Sequence, residues 1–271
     1  VPPGGELAGP AGAPEEDEEL EASSDPVPMA GLSFTGPIVI AAIDFGRKGE
    51  DTAGVFRPSN QGWYLDFDND GTVDKMFTYG NTGDVPVVAD WNGDGKDSTG
   101  VFRNGDWYVD INGDYSTYQL FWLGSTGDMP IVGDWDGDGK DTAGIFRNGI
   151  WYVDIDGDYV VDDVFWLGTT GDRPIVGDWN GNGKDTAGVF RNGVWYVDVD
   201  GDGNPETALW LGTTGDTPAL GDWNGDGKDT AGIFRNGVWY VDSDGDREVD
   251  KIMWLGMSGD IGIVGDWKKT A

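Results

Sequence analysis

The chain has 271 residues, 38% of them hydrophobic, and carries a formal net charge of −33 at pH 7. It contains neither cysteine nor histidine, which excludes disulfides and thiolate metal sites and removes the commonest general base and the usual zinc ligand. The charge disfavours nucleic acid and anionic membranes as partners, and no apolar run is long enough to cross a bilayer. We therefore expect no nucleic-acid binding and no membrane insertion. Either bound cations or a solvated acidic surface would account for the charge.

The first segment, residues 1–30, differs in composition from the rest. It is rich in Pro, Gly, Ala and Glu, contains the acidic run 15–19, and has no Lys or Arg. Such a composition predicts a disordered acidic tail. No signal peptide is visible, as expected of a secreted chain whose leader has already been removed. We therefore expect an extracellular or cell-surface location.

A repeat of 44 residues organises the chain after this tail. Its opening proline recurs at Pro86, Pro130, Pro174 and Pro218, and each copy continues to an Asp-Trp step. A divergent copy opens at Pro37, and the fragment 262–267 begins a last one. Repetition at such a period is typical of solenoids and propellers.

Each repeat predicts four short strands. In the copy that opens at Pro174 they span 174–178, 186–191, 194–198 and 207–212 and are rich in β-branched and aromatic residues. The second and third strands are joined by Asn-Gly, a strong hairpin signal, at residues 104–105, 148–149, 192–193 and 236–237. We predict an all-β fold, a β-propeller of five four-stranded antiparallel blades. The alternative is an open β-repeat stack, or solenoid.

The pattern contains one strand more than five blades need. The fragment 262–267 matches the repeat better than the divergent strand within residues 31–45, so we expect residues 46–271 to form the propeller with 262–267 closing the ring. The segment 31–45 would then be free to add to a sheet edge of another copy. Such donation without closure builds a filament. The alternative is that this strand packs in its own first blade.

Acidic side chains alternate along two loops of each repeat. The loop after the first strand contains Asp90, Asn92, Asp94 and Asp97; Asp134, Asp136, Asp138 and Asp141; Asp178, Asn180, Asn182 and Asp185; and Asp222, Asn224, Asp226 and Asp229. The loop after the third strand contains Asp66, Asp68, Asp70 and Asp74; Asp154, Asp156, Asp158 and Asp162; Asp198, Asp200, Asp202 and Glu206; and Asp242, Asp244, Asp246 and Asp250.

This spacing predicts calcium sites. Ca²⁺ takes six to eight oxygen ligands, and carboxylates at alternate positions of a curling loop can point at one centre, with glycine permitting the sharp turn. Without a cation the carboxylates repel one another. We therefore predict Ca²⁺ at about eight sites, all at one end of the blades because both loops lie there in an antiparallel meander. The alternative is that Asp, Asn and Gly merely form tight turns.

The loop sequence Asp-Trp-Asn-Gly-Asp-Gly-Lys-Asp, at 90–97 and 222–229, resembles the FG-GAP/VCBS repeats of bacterial surface proteins and the integrin α-chain propeller. The resemblance covers residues 37–267 and implies calcium-binding hairpin loops with Asp at the ninth position. Here the first loop has its last Asp at the eighth position and Ser or Thr at the ninth. Two loops are degraded, one after Asp44 and one with Asp110, Asn112, Asp114 and Tyr118.

The sequence favours a non-catalytic protein. No nucleophile motif is present, and the paired carboxylates recur in every repeat, which is typical of a scaffold. We predict a structural or adhesive surface protein whose partners are other copies of itself or other surface proteins. The alternative is a lectin that binds glycans between blades, with sugars stacking on the Trp-Tyr pairs that begin at Trp63, Trp107, Trp151, Trp195 and Trp239. Equally, those aromatic residues could fill the space between blades.

Overall fold

The structure, a computed structural model, describes residues 49–116 and 118–267. The segments 1–30 and 31–45 singled out in the sequence lie outside that range. The described residues form twenty β-strands, and they contain no helix of the length and apolarity needed to cross a membrane.

Five four-stranded antiparallel sheets form the blades. The first blade consists of β1 (Thr52–Arg57), β2 (Gly62–Leu65), β3 (Lys75–Thr78) and the last strand, β20 (Ile261–Gly265). The second blade consists of β4 (Val85–Ala89), β5 (Ser98–Arg103), β6 (Asp106–Val109) and β7 (Gln119–Trp122), and the third of β8 (Met129–Gly133), β9 (Thr142–Arg147), β10 (Ile150–Val153) and β11 (Asp163–Trp166). The fourth blade consists of β12 (Arg173–Gly177), β13 (Thr186–Arg191), β14 (Val194–Val197) and β15 (Thr207–Trp210), and the fifth of β16 (Thr217–Gly221), β17 (Thr230–Arg235), β18 (Val238–Val241) and β19 (Lys251–Trp254).

The inner strands close a ring. Strands β20, β4, β8, β12 and β16 contact one another in cyclic order, with β16 returning to β20. The predicted five-bladed propeller is therefore confirmed, and the open stack is excluded.

The Asn-Gly turns have the backbone that the hairpins require. In the third blade Asn148 has a φ of 54° and Gly149 a φ of 90°, as a type I′ turn needs. A Cβ atom on Gly149 would lie 2.6 Å from the carbonyl oxygen of Gly168. Glycine is therefore required there both by conformation and by space.

The core of each blade is built around one tryptophan. In the third blade Trp151 is fully buried, lies edge-on to Phe146 at a centroid distance of 5.4 Å, and stacks on Phe165 at 5.6 Å. Its indole N–H donates to the carbonyl oxygen of Leu167 at 2.8 Å. Its counterparts Trp63, Trp107, Trp195 and Trp239 are equally buried. The tryptophans of the Trp-Tyr pairs therefore fill the core and have no face open to a sugar, whereas the tyrosines of the pairs are half-buried.

An arginine–aspartate ion pair lies at the end of each blade that is opposite the acidic loops. In the third blade the Nε atom of Arg147 lies 2.6 Å from Oδ1 of Asp128, a buried carboxylate that precedes β8. The Arg147 guanidinium also lies over the ring of Tyr152, 5.2 Å from its centroid. The same pairing recurs in the other blades as Arg57–Asp260, Arg103–Asp84, Arg191–Asp172 and Arg235–Asp216.

The first blade joins the two ends of the described chain. Strand β20 supplies its inner strand and pairs with β1 from Thr52 opposite Gly265 to Phe56 opposite Ile261. Ile263 is 5% exposed and belongs to a cluster of buried side chains from the first and second blades. The strand therefore contributes both hydrogen bonds and core volume to ring closure.

We predict that Ile263→Ala lowers the free energy of unfolding by about 2–4 kcal/mol, because it removes buried apolar volume and leaves a cavity. The measurement is urea denaturation followed by tryptophan fluorescence. The matched control is Ile252→Ala, whose side chain on the outer strand of the fifth blade is 47% exposed and should change stability by less than about 1 kcal/mol. Equal effects of the two substitutions would contradict closure by β20.

Candidate metal centres

The second loop of the fourth blade brings four carboxylates together. One carboxylate oxygen from each of Asp198, Asp200, Asp202 and Glu206 lies within 4.8 Å of the other three. Oxygen ligands on opposite sides of a calcium ion lie about 5 Å apart, since each Ca–O distance is about 2.3–2.6 Å. The spacing of this cluster therefore fits a calcium-sized cation.

Backbone hydrogen bonds hold this loop in shape. Asp198 follows β14 and is buried; its Oδ1 accepts from the Gly201 N–H at 2.8 Å and its Oδ2 from the Gly203 N–H at 2.7 Å. Both glycines have positive φ, the conformation that lets the loop curl around the carboxylate. At the end of the loop Glu206 accepts from the Val199 N–H at 2.7 Å.

Three more second loops and one first loop bring acidic side chains together within the same limit. They are Asp66, Asp68 and Asp70; Asp154, Asp156 and Asp162; Asp242, Asp244 and Asp246; and, in the first loop of the third blade, Asp134, Asp136 and Asp138. Several acidic groups could thus hold a metal ion.

Three predicted ligands of the second loops lie outside these clusters. Asp74 accepts from the Phe67 N–H at 2.7 Å and Asp250 from the Ser243 N–H at 2.8 Å, the same brace that Glu206 provides. Asp158 accepts from the Val160 N–H at 2.9 Å. These three carboxylates stabilise the fold of their loops by accepting backbone hydrogen bonds.

The other first loops have the same backbone fold with amides at some ligand positions. In the second blade Asp90 accepts from the N–H groups of Gly93 at 2.8 Å and Gly95 at 2.6 Å. The Oδ1 atom of Asn92 accepts from the Asp94 N–H at 2.8 Å, while its Nδ2 donates to the Ile111 carbonyl at 2.9 Å. The fourth and fifth blades repeat the fold with Asp178, Asn180 and Asn182, and with Asp222, Asn224 and Asp226.

Both loops of a blade lie at one end of it, as predicted. The bond from Asn92 to Ile111 joins the first loop of the second blade to its second loop, and Asn180 donates to the Val199 carbonyl at 2.9 Å in the fourth blade. The acidic loops therefore crowd one face of the ring, and the Asn-Gly turns lie at the other.

The last aspartate of each first loop bonds to the neighbouring blade. The Oδ2 atom of Asp185 accepts from the Asp134 N–H of the preceding blade at 2.8 Å, and the Asp185 N–H donates to the Asp134 carbonyl at 2.9 Å. Asp97, Asp141 and Asp229 pair in the same way with Asp266, Asp90 and Asp178. Each of these four aspartates, predicted as a ligand of its first loop, thus has one carboxylate oxygen bonded to the neighbouring blade, and its ligation of a metal stays a prediction.

A fifth pair, which the sequence analysis missed, completes this ring. Asp51 accepts from the Asp222 N–H at 2.8 Å, so the aspartates 51, 97, 141, 185 and 229 encircle the axis; we call them the axial aspartates. The sequence does indicate that Asp51 is equivalent to Asp141, because Asp51-Thr-Ala-Gly has the same sequence as Asp141-Thr-Ala-Gly. Asp266 takes the place expected of the degraded copy at Asp44, which lies outside the described residues.

The axial aspartates crowd a narrow cavity. Asp97, Asp141 and Asp185 line a cavity of about 130 Å³ at the acidic face. Burial raises the pKa of Asp141 well above its ordinary value, and the charges of Asp185 and Asp97 raise it further. The ring therefore combines favourable hydrogen bonds between blades with unfavourable repulsion between carboxylates.

Burial also affects the pKa of the first aspartate in five of the acidic loops. It raises the pKa values of Asp66, Asp134, Asp154, Asp198 and Asp242, although backbone N–H groups oppose the shift. Ionising these carboxylates is therefore costly, and a bound cation would offset that cost. The donors are all hard oxygens, which suit calcium or magnesium better than softer metals.

The degraded loop of the second blade keeps its fold. Asp110 is buried and accepts from the Asp114 N–H at 3.2 Å and the Tyr115 N–H at 2.6 Å. Tyr118 stands where the other second loops carry an acid. This loop therefore lacks the closing carboxylate.

Comparison with known proteins finds likenesses of fold only. No family model and no curated protein matches the sequence. An Agrocybe aegerita lectin that recognises non-reducing terminal N-acetylglucosamine is 18% identical, with a TM-score of 0.44 over 78% of this chain and 67% of its own. Structures of BBS1N in complex with ARL6DN, soaked with mercury or lead, are 12% and 13% identical, with TM-scores of 0.37 and 0.41 over 72% and 83% of this chain and 59% and 70% of theirs. At these TM-scores the likenesses carry no inference about function.

The axial aspartates allow a two-way test at Asp141. Asp141→Asn keeps an oxygen that can accept from the Asp90 N–H and removes one charge from the crowded ring, so we expect a higher melting temperature. Asp141→Ala leaves that buried N–H without its acceptor and should lower the free energy of unfolding by about 1–3 kcal/mol.

Both variants are compared with the parent chain at pH 7 in EDTA, by thermal unfolding and by urea denaturation. Asp163→Asn, an exposed change outside every cluster, controls for the lower net charge. If the Asn and Ala variants were destabilised equally, repulsion within the ring would not be significant.

Proposed function

We propose that this protein is a non-catalytic, calcium-stabilised β-propeller that serves as a structural or adhesive module outside the cell. The observation that carries the proposal is the cluster of Asp198, Asp200, Asp202 and Glu206, whose oxygens lie within 4.8 Å of one another. Similar clusters in three other blades support a repeated scaffold role, since a catalytic centre needs only one such arrangement. The resemblance of the loops to FG-GAP/VCBS repeats supports calcium as the ion.

Calcium would act on the chain's own charge. When bound, the ion supplies positive charge and coordination to oxygens that otherwise repel one another. The buried first aspartate of each loop is tied to the backbone by several N–H groups, so an ion held there would stiffen the link between two strands. Binding would therefore appear as folding stability. Calcium sites of extracellular modules have dissociation constants of about 10⁻⁴–10⁻³ M, which suits the proposed location.

Exposed tryptophans support the adhesive part of the proposal. The outer strands of the second to fifth blades end in Trp122, Trp166, Trp210 and Trp254, which are between 68% and 74% exposed. Aromatic side chains are enriched at protein contact sites. Their position at the rim would present them to a partner at the ring's circumference.

We predict that EDTA lowers the melting temperature and that added calcium restores it, because a ligand at 100 times its dissociation constant adds about 2.7 kcal/mol per site. The double variant Asp198→Asn, Glu206→Gln should bind one calcium ion fewer, measured by equilibrium dialysis with elemental analysis. Asp163→Asn is the control and should keep the full number. A chain that retains no metal and melts alike with and without EDTA would contradict the proposal.

We extend the proposal to self-association through the segment 31–45. Described strands occupy all four positions of every blade, with β20 as the inner strand of the first, so the ring needs no strand from that segment. A segment of apolar sequence such as 38–42 could add as a strand to an exposed sheet edge of another copy. Repeated addition would produce chains of propellers.

Deleting residues 1–44 should therefore leave a calcium-binding monomer. The full chain in calcium should sediment as larger species whose proportion rises with concentration, and the deletion variant as one species of constant size. Analytical ultracentrifugation distinguishes the two. A full chain that remains a single monomeric species at high concentration would rule out self-association.

A further inference from the structure

The gap between the first and second blades holds a cleft of about 710 Å³. Small-molecule sites typically enclose about 300–1,000 Å³. The cleft lies along the face of the second blade that looks toward the first, and its lining includes Asn60, Tyr79, Asn81, Arg103, Tyr108 and Tyr118. Among the residues that the structure describes, no acidic side chain is part of the lining, although the chain as a whole is strongly acidic.

Three of these residues depart from the repeat. Where the first blade has Tyr79, the other four have leucine, at 123, 167, 211 and 255. Where it has Asn81, the others have Ser, Thr, Thr and Met. Tyr118 replaces the acid found at this position in the other four second loops. All five blades must pack in the same way, so folding alone does not require residues that differ between repeats. Such residues gathered in one cleft therefore indicate a function other than folding.

The aromatic side chains of the cleft are fixed by their neighbours. Tyr118 is 59% exposed and packs edge-on to Tyr108 at a centroid distance of 5.3 Å. The Tyr79 hydroxyl donates to the Tyr108 carbonyl at 3.3 Å, and burial raises the pKa of Tyr79, which keeps it a neutral donor. The guanidinium of Arg103 lies over the Tyr108 ring, 4.7 Å from its centroid. The cleft therefore presents ordered aromatic surface beside hydroxyl and amide groups.

The charges of the cleft are balanced. Arg103 is its charged lining residue, and both of its bonds go to Asp84, at 2.6 Å from Nε and 2.8 Å from Nη2. A cation would find no carboxylate in the described part of the lining, and the net charge of −33 disfavours the approach of an anion. The ligand that fits is uncharged, with apolar faces to stack on tyrosine and hydroxyls to bond to amides and phenols.

We propose that this cleft is a single binding site for a neutral saccharide of a few sugar units, with Tyr108 and Tyr118 as the stacking surface. It differs from the arrangement of one glycan pocket in every gap, because the residues that shape it occur in one gap. The cleft does not include any of the acidic clusters proposed to bind calcium. The saccharide proposal and the calcium proposal can therefore be contradicted independently.

The test uses the full chain in calcium and isothermal titration with neutral tetrasaccharides built from glucose, mannose, galactose or N-acetylglucosamine. At least one should bind saturably with one site per chain. Tyr118→Asp introduces the acid found in three other loops, so it should fold normally and weaken binding at least tenfold, which is about 1.4 kcal/mol. Tyr108→Ala should weaken it similarly, whereas Tyr152→Ala, the matched change in the third blade, should leave it unchanged.

Three results would overturn the proposal. One is that none of the four tetrasaccharides binds at up to about 5 mM. Another is that the Tyr118→Asp variant, shown by circular dichroism to be folded, binds as the parent does, or that Tyr152→Ala is as damaging as Tyr108→Ala. The third is that a proline-rich decapeptide, which could stack on the same tyrosines, binds in a Tyr118-dependent way while the saccharides do not.

Discussion

The propeller depends on one contact made five times around its axis. The aspartate before the second strand of each blade accepts a hydrogen bond from the backbone of the preceding blade and donates one back, as Asp185 does with Asp134 at 2.8 Å and 2.9 Å. These bonds link the start of the second strand of one blade to the end of the inner strand of the preceding blade, where the blades have no shared sheet. The contact between Asp51 and Asp222 has the same form as the others, so the link to the first blade is chemically identical to those between blades adjacent in sequence.

This contact has an electrostatic cost that helps to explain the design of the acidic face. Five carboxylates around a narrow axis repel one another, and burial of Asp141 increases that cost. The metal loops extend from the same strand ends, since Asp134 both donates to Asp185 and belongs to the cluster with Asp136 and Asp138. A cation in such a loop would sit close to the axial ring and would reduce its repulsion. Binding of a metal ion in such a loop would therefore be coupled to closure of the ring by proximity.

The sequence predicted the strands, turns and blade number because they depend on local patterns that recur every 44 residues. It could not assign the axial aspartates, because a repeat indicates that Asp141 lies near some Asp-Trp loop without indicating whether that loop is its own or its neighbour's. The Trp-Tyr pairs illustrate a signal that was available. Adjacent strand residues point to opposite faces, so Trp151 can be buried while Tyr152 lies beside Arg147. The lining of the cleft between the first and second blades could be identified only from the structure, since Tyr79 and Tyr118 are 39 residues apart in the sequence.

In a repeat protein, the positions that differ between copies carry information that the shared positions cannot. Trp151 with its counterparts and the ion pairs to arginine recur in all five blades, and the Asn-Gly turn recurs in four, so their recurrence reports on folding. The second blade departs from this rule at Tyr118, where it loses the closing acid of a metal loop and gains an aromatic ring that packs on Tyr108. One residue thus removes an acid from an acidic loop and supplies part of the cleft between the first and second blades. The loop tolerates this change because the backbone bonds to Asp110 keep it folded.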